Sequence, residues 1–372
     1  MNEKKLFTVS FFINFIFSML TALLSLIVFN INKKTGDINI IMMTFISSLL
    51  FTRVFSIGNF LKARTEIILG GILFTAGCLI LVIESGSMTW MFIGTVLFGI
   101  SIGLVPPAIL VLLSENENKR TSNLGIYNAI VAVASVFSPI IGENVYNTNP
   151  YFLFVSWSVF AAIMTIISLS LNRQKVNGGE DSASKMLYNL KKVLSNKIFQ
   201  ISFIVLLFSS ISYGSIISYL PIYFKSVNLS IGIYYLFFWS GYILVQFFKQ
   251  INYKFNMVLF ALFFIIAGQI SLVLLGGTFL LYFFAFIYGL GYGSLFKMFY
   301  VAIGSFENEE ERSIGFSIVG LISYIGVGIA PVFLIPFNTG WKMLFTGNSI
   351  YSISALVLFL FLGRSAMGLT KH

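Results

Sequence analysis

The chain has 372 residues, of which 58% are hydrophobic and 10% are charged, and its formal net charge is +10. A mean hydropathy of +0.93 excludes a water-soluble globule, because so few polar residues cannot cover a protein of this size. The bilayer is therefore the expected solvent of this chain.

Twelve apolar runs are long enough to cross a bilayer, since a helix needs about 20 residues to span a hydrocarbon layer of roughly 30 Å. The first run is too long for a signal peptide, and no cleavage pattern follows it. These runs predict an all-α membrane protein of twelve transmembrane helices, numbered here in chain order. They lie at residues 7–29, 38–56, 67–84, 89–113, 124–145, 151–171, 199–223, 230–248, 256–275, 279–304, 314–336 and 344–363.

The basic residues indicate the orientation. With both termini in the cytoplasm, 18 of the 23 Lys and Arg residues fall in cytoplasmic segments, four fall in outer loops, and Lys297 lies within a span. This bias follows the positive-inside rule and predicts a multi-pass protein of the plasma membrane with cytoplasmic termini. Because the positive charge is spread over many short loops, it does not indicate a nucleic-acid partner.

Features of different chemistry recur at a nearly constant offset of half the chain. Residues Gly86, Gly99, Gly103, Arg120 and Pro139 match Gly277, Gly289, Gly293, Arg312 and Pro331 at offsets of 190 to 192. The pattern predicts two parallel six-helix repeats, at 1–172 and 199–372. The cytoplasmic linker, 173–198, contains apolar residues at helical spacing from Met186 to Leu194, which predict a short amphipathic helix on the inner leaflet.

Three segments resemble parts of one transporter family. The interval from Arg53 through Gly58 and Lys62 to Arg64 resembles a degraded Gly-x-x-x-Asp-Arg-x-Gly-Arg loop, without its Asp and its second Gly. The segment 99–125 is similar to a helix 4 to helix 5 connection. The segment 135–143 resembles the Gly-x-x-x-Gly-Pro-x-x-Gly-Gly motif of exporters and antiporters. Together they resemble the major facilitator superfamily, and in particular its drug and metabolite exporters, over essentially the whole chain.

The third segment belongs to a face of small residues on helix 5, where a neighbouring helix can approach closely and Pro139 permits a bend. Ordinary helix packing is the competing interpretation of this face. The resemblance implies a gating role for residues of this motif and of the cytoplasmic loops. The candidate gating residues are Arg53, Gly58, Lys62, Arg64, Arg120, Ser135, Pro139, Gly142 and Arg312.

Polar and aromatic residues form stripes at helical spacing on helices 1, 7, 8 and 10. In the family that the chain resembles, helices 1, 4, 7 and 10 line a central cavity, which implies a substrate site there. Own-helix hydrogen bonds and the interfacial aromatic belt are the alternatives for these residues. The candidate substrate-binding residues are Asn14, Ser18, Thr21, Asn128, Tyr213, Tyr219, Trp239, Tyr242, Gln246, Tyr292, Lys297 and Tyr300.

Lys297 is the sharpest of these candidates. An unpaired ammonium that faces lipid inside a span would cost about 3 kcal/mol or more. Lys297 shares a helix face with Gly289 and Gly293, which favours a cavity-facing position where the amine meets an anionic group of the substrate. Snorkelling to the inner interface is the alternative.

None of the thirteen carboxylates lies in the middle of a predicted span. Asp37, Glu84 and Glu143 lie near the predicted outer ends of helices 2, 3 and 5 and are the candidates for coupling to protons. An ordinary interfacial position is the competing interpretation for each. The sequence therefore leaves protons open as a coupling ion.

Enzymatic chemistry has little material in this sequence. The only His is His372, the only Cys is Cys78, and no phosphate-binding loop is present. We therefore expect no enzyme and no cofactor.

The predicted protein is a monomeric secondary transporter that works by alternating access within the lipid bilayer. It exports a small amphiphilic or anionic molecule, such as a drug-like compound, a secreted metabolite or a metallophore. An importer of a small organic anion and a non-transporting membrane sensor or assembly factor are the alternatives.

Overall fold

The computed structural model of the chain describes residues 2–57, 61–84, 86–114, 119–171, 191–248, 254–304 and 309–366. Within these ranges the fold is helical, with a helical stretch at 191–195, a 3-10 turn at Ile335–Phe337 and twelve long helices. The long helices are α1 (Asn2–Asn32), α2 (Thr35–Ile57), α3 (Ala63–Ile83), α4 (Met88–Ser114), α5 (Arg120–Thr148), α6 (Pro150–Leu169), α7 (Lys197–Ser226), α8 (Ile231–Gln246), α9 (Phe255–Leu274), α10 (Leu280–Gly304), α11 (Glu309–Phe333) and α12 (Trp341–Ala366).

Each predicted span coincides with one of these helices. Ten helices of the described chain are long and apolar enough to cross a membrane. The apolar parts of the other two are shorter: Ile231–Gln246 in α8 and Ile318–Phe333 in α11. The all-α, twelve-helix fold is confirmed. The ends differ by a few residues where local chemistry stops a helix: α11 ends at Phe333, three residues before the predicted end, and the chain continues as a 3-10 turn that contains Pro336.

The helices divide into two compact units. The first unit holds residues 1–176 together with 217–226 and 230–236, and the second holds 177–216, 227–229 and 237–372. The first unit thus includes the last turns of α7 and the first turns of α8. The two repeats at 1–172 and 199–372 and the linker 173–198 stay a prediction. Most of the proposed amphipathic helix lies outside the described residues, although 191–195 are helical.

In the first unit, α1 packs against α5 and α6, and α3 packs against α4 and α6. Small residues permit these approaches: a Cβ atom at Gly142 of α5 would lie 3.1 Å from side-chain atoms of Met19 and Leu23 on α1. The small face that the sequence shows on helix 5 is therefore in packing contact with α1.

In the second unit, α9 packs against α10 and α12. The helices α8 and α10 meet through glycines on both sides. A Cβ atom at Gly289 of α10 would overlap the backbone carbonyl of Phe238, and one at Gly241 of α8 would overlap the carbonyl of Phe286. This contact positions the aromatic side chains described next.

Candidate functional site: an aromatic cluster and a carboxylate cap

Aromatic rings from α7, α8 and α10 come together in the second unit, in what we call the aromatic cluster: Tyr213, Phe238, Trp239, Tyr242, Tyr288, Tyr292 and Phe296. The Tyr213 ring stacks on Tyr292 and on Phe238, with centroid distances of 5.0 and 5.2 Å. Trp239 and Tyr242 are in edge contact at 5.1 Å. Four predicted substrate-binding residues, Tyr213, Trp239, Tyr242 and Tyr292, therefore belong to one cluster.

The cluster has a buried base and a partly exposed face. Tyr292 and Phe296 are buried, whereas Tyr213, Trp239 and Tyr242 are half-buried. The Tyr292 hydroxyl lies 3.3 Å from the Ser210 hydroxyl, which in turn donates to Ser323 at 3.4 Å. Rings that are available to a planar group therefore stand beside a short chain of hydroxyls.

The amine of Lys297 is held by the C-terminal end of α8. Its Nζ donates to the carbonyl oxygens of Val245 at 3.1 Å and of Gln246 and Phe248 at 2.8 Å each. The last carbonyls of a helix have no partner within the helix, and a cation there also interacts favourably with the helix dipole. The structure thus satisfies the ammonium within the protein, which differs from the expected free, cavity-facing amine, and contact with substrate stays a prediction.

The other second-unit candidates lie at the edge of the cluster. Gln246 is exposed, and its side-chain amide reaches the carbonyls of Tyr242 and Gly293 at 3.4 Å each. Tyr300 is exposed, and its ring lies 6.1 Å from that of Phe296.

The predicted polar stripe of α1 is largely satisfied by its own helix. The Asn14 amide donates to the carbonyl of Ser10 at 2.8 Å, and the Thr21 hydroxyl donates to the carbonyl of Ser18 at 3.1 Å. Asn14 and Ser18 are buried, while Asn128 on α5 is exposed. The own-helix alternative thus describes Asn14 and Thr21.

Tyr219 does not join the aromatic cluster. It is buried in the first unit, where its hydroxyl donates to Asn39 of α2 at 2.6 Å. The helical stripe on α7 therefore places Tyr213 and Tyr219 in different units.

Among the candidate gating residues, Arg64 joins two helices, because its guanidinium donates to the carbonyl of Leu169 at the end of α6. Arg53 is half-buried, Lys62 is exposed, and Ser135, Pro139 and Gly142 are buried on α5. Gly58 and the side chains of Arg120 and Arg312 lie outside the described residues. Gating by these residues stays a prediction.

The three candidate coupling carboxylates have different surroundings. Asp37 accepts a hydrogen bond from Asn32 at 3.0 Å, and Glu84 is an exposed residue at the end of α3. Glu143 is half-buried and accepts three hydrogen bonds, which come from the start of α8.

These bonds make Glu143 the cap of α8. One carboxylate oxygen accepts from the backbone N–H of Ile231 at 3.0 Å, and the other accepts from the N–H of Gly232 at 2.8 Å and from the hydroxyl of Ser230. The Ser230 hydroxyl oxygen accepts from the N–H of Ile233 at 3.1 Å. The first N–H groups of a helix have no partner within the helix, so a side chain of α5 here supplies what the helix itself lacks.

Sequence reasoning missed a buried amide pair in the second unit. Asn348 of α12 donates to Gln269 of α9, and the hydroxyls of Ser212 and Ser352 lie 2.6 Å apart beside it. Both amides are fully buried. Single amides in apolar runs are a recognised signal of such contacts, because an amide in hydrocarbon needs a partner. Glu66, placed just before helix 3 in the sequence, is also buried, in the first turn of α3.

A family model, the Major Facilitator Superfamily, matches residues 6–255. The chain therefore belongs to this superfamily, as its loop and helix 5 motifs indicated. No curated protein shows significant sequence similarity to the chain.

Several solved transporters are similar to the chain in fold. A POT family transporter in complex with 5-aminolevulinic acid has a TM-score of 0.76 at 15% identity, with 99% of this chain and 96% of that chain covered. A mutant of the nucleoside transporter NupG has a TM-score of 0.74 at 11% identity, covering 97% and 100%. A mutant of the peptide transporter POT gives 0.73 at 15% identity, covering 99% and 95%. At these identities the likeness shows the fold alone.

Proposed function

We propose that this chain is a secondary transporter that works by alternating access and exports a small amphiphilic molecule with a planar aromatic or unsaturated part. The observation that carries the proposal is the aromatic cluster of α7, α8 and α10. Tyr213, Trp239 and Tyr242 are half-buried residues of this cluster, and the Tyr292 and Ser210 hydroxyls lie beside it.

This arrangement suits a solute with an apolar and a polar side. Aromatic pairs contribute about 0.5–1.5 kcal/mol beyond the burial of their area, and most binding sites combine apolar walls with a few polar groups that set orientation. The hydroxyl chain of Ser210, Tyr292 and Ser323 supplies such groups.

The cluster favours an amphiphilic solute over an anionic one. None of its rings carries a charge, and the amine of Lys297, which was the expected partner of an anion, is held by three backbone carbonyls. An anion would have to displace bonds that already satisfy this amine.

Export is supported by the resemblance of 135–143 to the helix 5 motif of exporters. The similar solved structures are those of peptide and nucleoside transporters, which supports transport of a small organic solute. Import of such a solute is the competing direction.

The test is a flux assay in proteoliposomes with a panel of planar amphiphiles under imposed solute and proton gradients. We expect counterflow with the parent protein and, for Tyr213→Ala, a loss of about tenfold in apparent affinity, because stacking on two rings is removed. Phe283→Ala removes an exposed ring of α10 outside the cluster and serves as the matched control. A complete lack of counterflow under every gradient would instead favour the sensor, and equal affinities of Tyr213→Ala and the parent would remove the cluster from the site.

A further inference from the structure

We propose that Glu143 is a proton-responsive latch that holds the start of α8 against α5 and releases it when the carboxylate binds a proton. This inference rests on the proposed transport function and names a conformational control within it. The latch consists of Glu143, Ser230, Ile231 and Gly232, all in the first unit.

The donor set of the latch favours an ionised carboxylate. Each carboxylate oxygen accepts from a backbone N–H group, at 3.0 and 2.8 Å, which can only donate, and the Ser230 hydroxyl donates to one of the two oxygens. The start of a helix also carries a partial positive charge, which favours an anion. A protonated carboxyl group would present a donor to these donors, so it could not make the same three bonds.

The fit between the two helices is close enough for the bonds to act as a latch. Gly232 faces α5 with no side chain: a Cβ atom there would lie 2.6 Å from the Cα of Ile140 and 2.8 Å from a Glu143 oxygen. Any larger residue would push the start of α8 away from α5. The close contact and the three hydrogen bonds therefore depend on one another.

The charged side chains near Glu143 contact other partners, which leaves proton binding as the event that would neutralise its carboxylate. The titratable groups near this end of α5 are Lys33 just after α1, Tyr151 of α6, Tyr223 and Lys225 of α7, Tyr234 and Tyr235 of α8, and Tyr146 of α5 itself. Lys225 lies 5.6 Å from the centre of the Tyr146 ring, and Lys33 donates to Asn30. Within the described part of the chain, no Lys or Arg nitrogen lies within 4 Å of the Glu143 carboxylate.

The sign of the pH effect follows from linkage. The closed latch needs both carboxylate oxygens as acceptors, so binding of a proton to the carboxylate and opening of the latch favour each other. The predicted orientation places the start of α8 on the outer side of the membrane. Acidification of the outer side should therefore release the start of α8 from α5. Loss of one such hydrogen bond to a charged group corresponds to an increase of about tenfold in the open population.

Cysteine labelling tests the latch without any substrate. The parent for the test carries Cys78→Ala, which removes a buried thiol, and Ile140→Cys, which places a reporter under Gly232. The rate of reaction with a membrane-impermeant thiol reagent is measured from about pH 7.5 to about pH 4.5. Each rate is divided by that of an exposed Gly86→Cys reference, which corrects for ionisation of the thiol.

We expect the normalised rate to rise about tenfold on acidification. Glu143→Gln should react fast at every pH, and Gly232→Ala should react fast with the carboxylate intact, because its Cβ atom separates the helices. Glu3→Gln, which changes a surface carboxylate at the start of α1, is the matched control and should behave as the parent. A labelling rate that does not change with pH in the parent would overturn the latch, and this measurement is made with Glu143 unchanged. Equal labelling rates in the parent and in Glu143→Gln would overturn it as well. Failure of the transport proposal would appear separately, as absent counterflow in proteoliposomes.

Discussion

The ammonium of Lys297 shows how a charged residue can be stable in a membrane span without a carboxylate. Two of its three hydrogen bonds are to the carbonyls of the last residues of α8, Val245 and Gln246, which lack partners within their own helix, and the third is to Phe248 just after it. The backbone carbonyls thus satisfy the amine, and the Lys297 side chain of α10 completes the C-terminal end of a neighbouring helix.

This position predicts a structural effect of Lys297. We expect Lys297→Met to lower the free energy of unfolding by about 1–3 kcal/mol, because three carbonyls lose a charged donor. Thermal unfolding in detergent measures it. Lys254→Met, at the exposed start of α9, is the control and should change stability little. Unchanged stability together with a loss of substrate affinity would restore the earlier hypothesis of an amine that binds substrate.

At the scale of helices, the approach of α8 to α10 depends on glycine. The Gly289 and Gly241 positions face the backbone of the opposite helix, and Gly293 faces Tyr242 in the same contact. This short distance allows Tyr242 and Tyr292 to meet with ring centres 6.5 Å apart. The aromatic cluster is therefore a product of helix packing as much as of its own side chains.

We expect Gly289→Ala to destabilise the protein by about 1–3 kcal/mol, because the added methyl group overlaps a backbone carbonyl that cannot rotate away. The same change should weaken transport of planar solutes, since the rings of α8 and α10 move apart. Thermal unfolding and proteoliposome flux measure the two effects. Gly86→Ala provides the control, as a Cβ atom at Gly86 would meet nothing within 4 Å; equal behaviour of the two variants would contradict the packing argument.

The helices could be predicted from the sequence because each needs only one local property, a run of about 20 apolar residues. The partners of individual side chains could not be predicted in this way. Glu143 and Ser230 are 87 residues apart. The sequence around neither residue indicates that α5 contacts the start of α8. Tyr213 and Tyr292 are both predicted substrate-binding residues, yet the sequence does not reveal that their rings stack, because the contact joins two helices that are distant along the chain.

At the scale of the whole molecule, the distribution of basic residues predicts both termini in the cytoplasm. Epitope tags at either terminus should therefore bind antibody only after the cells are permeabilised, since an intact bilayer excludes antibody. A tag inserted after Gly340, in a predicted outer loop, is the control and should be detected on intact cells. Detection of a terminal tag on intact cells would reverse the orientation, and with it the side from which protons reach Glu143.

The cap of α8 also has a consequence for how the protein is made. Glu143 precedes the helix that it caps by 88 residues at Ile231, so a chain synthesised from its N-terminus contains the carboxylate before α8 emerges. Until α8 packs against α5, its first N–H groups lack this acceptor. The first turn of α8 therefore completes its hydrogen bonding as a step of assembly, after insertion and not before it.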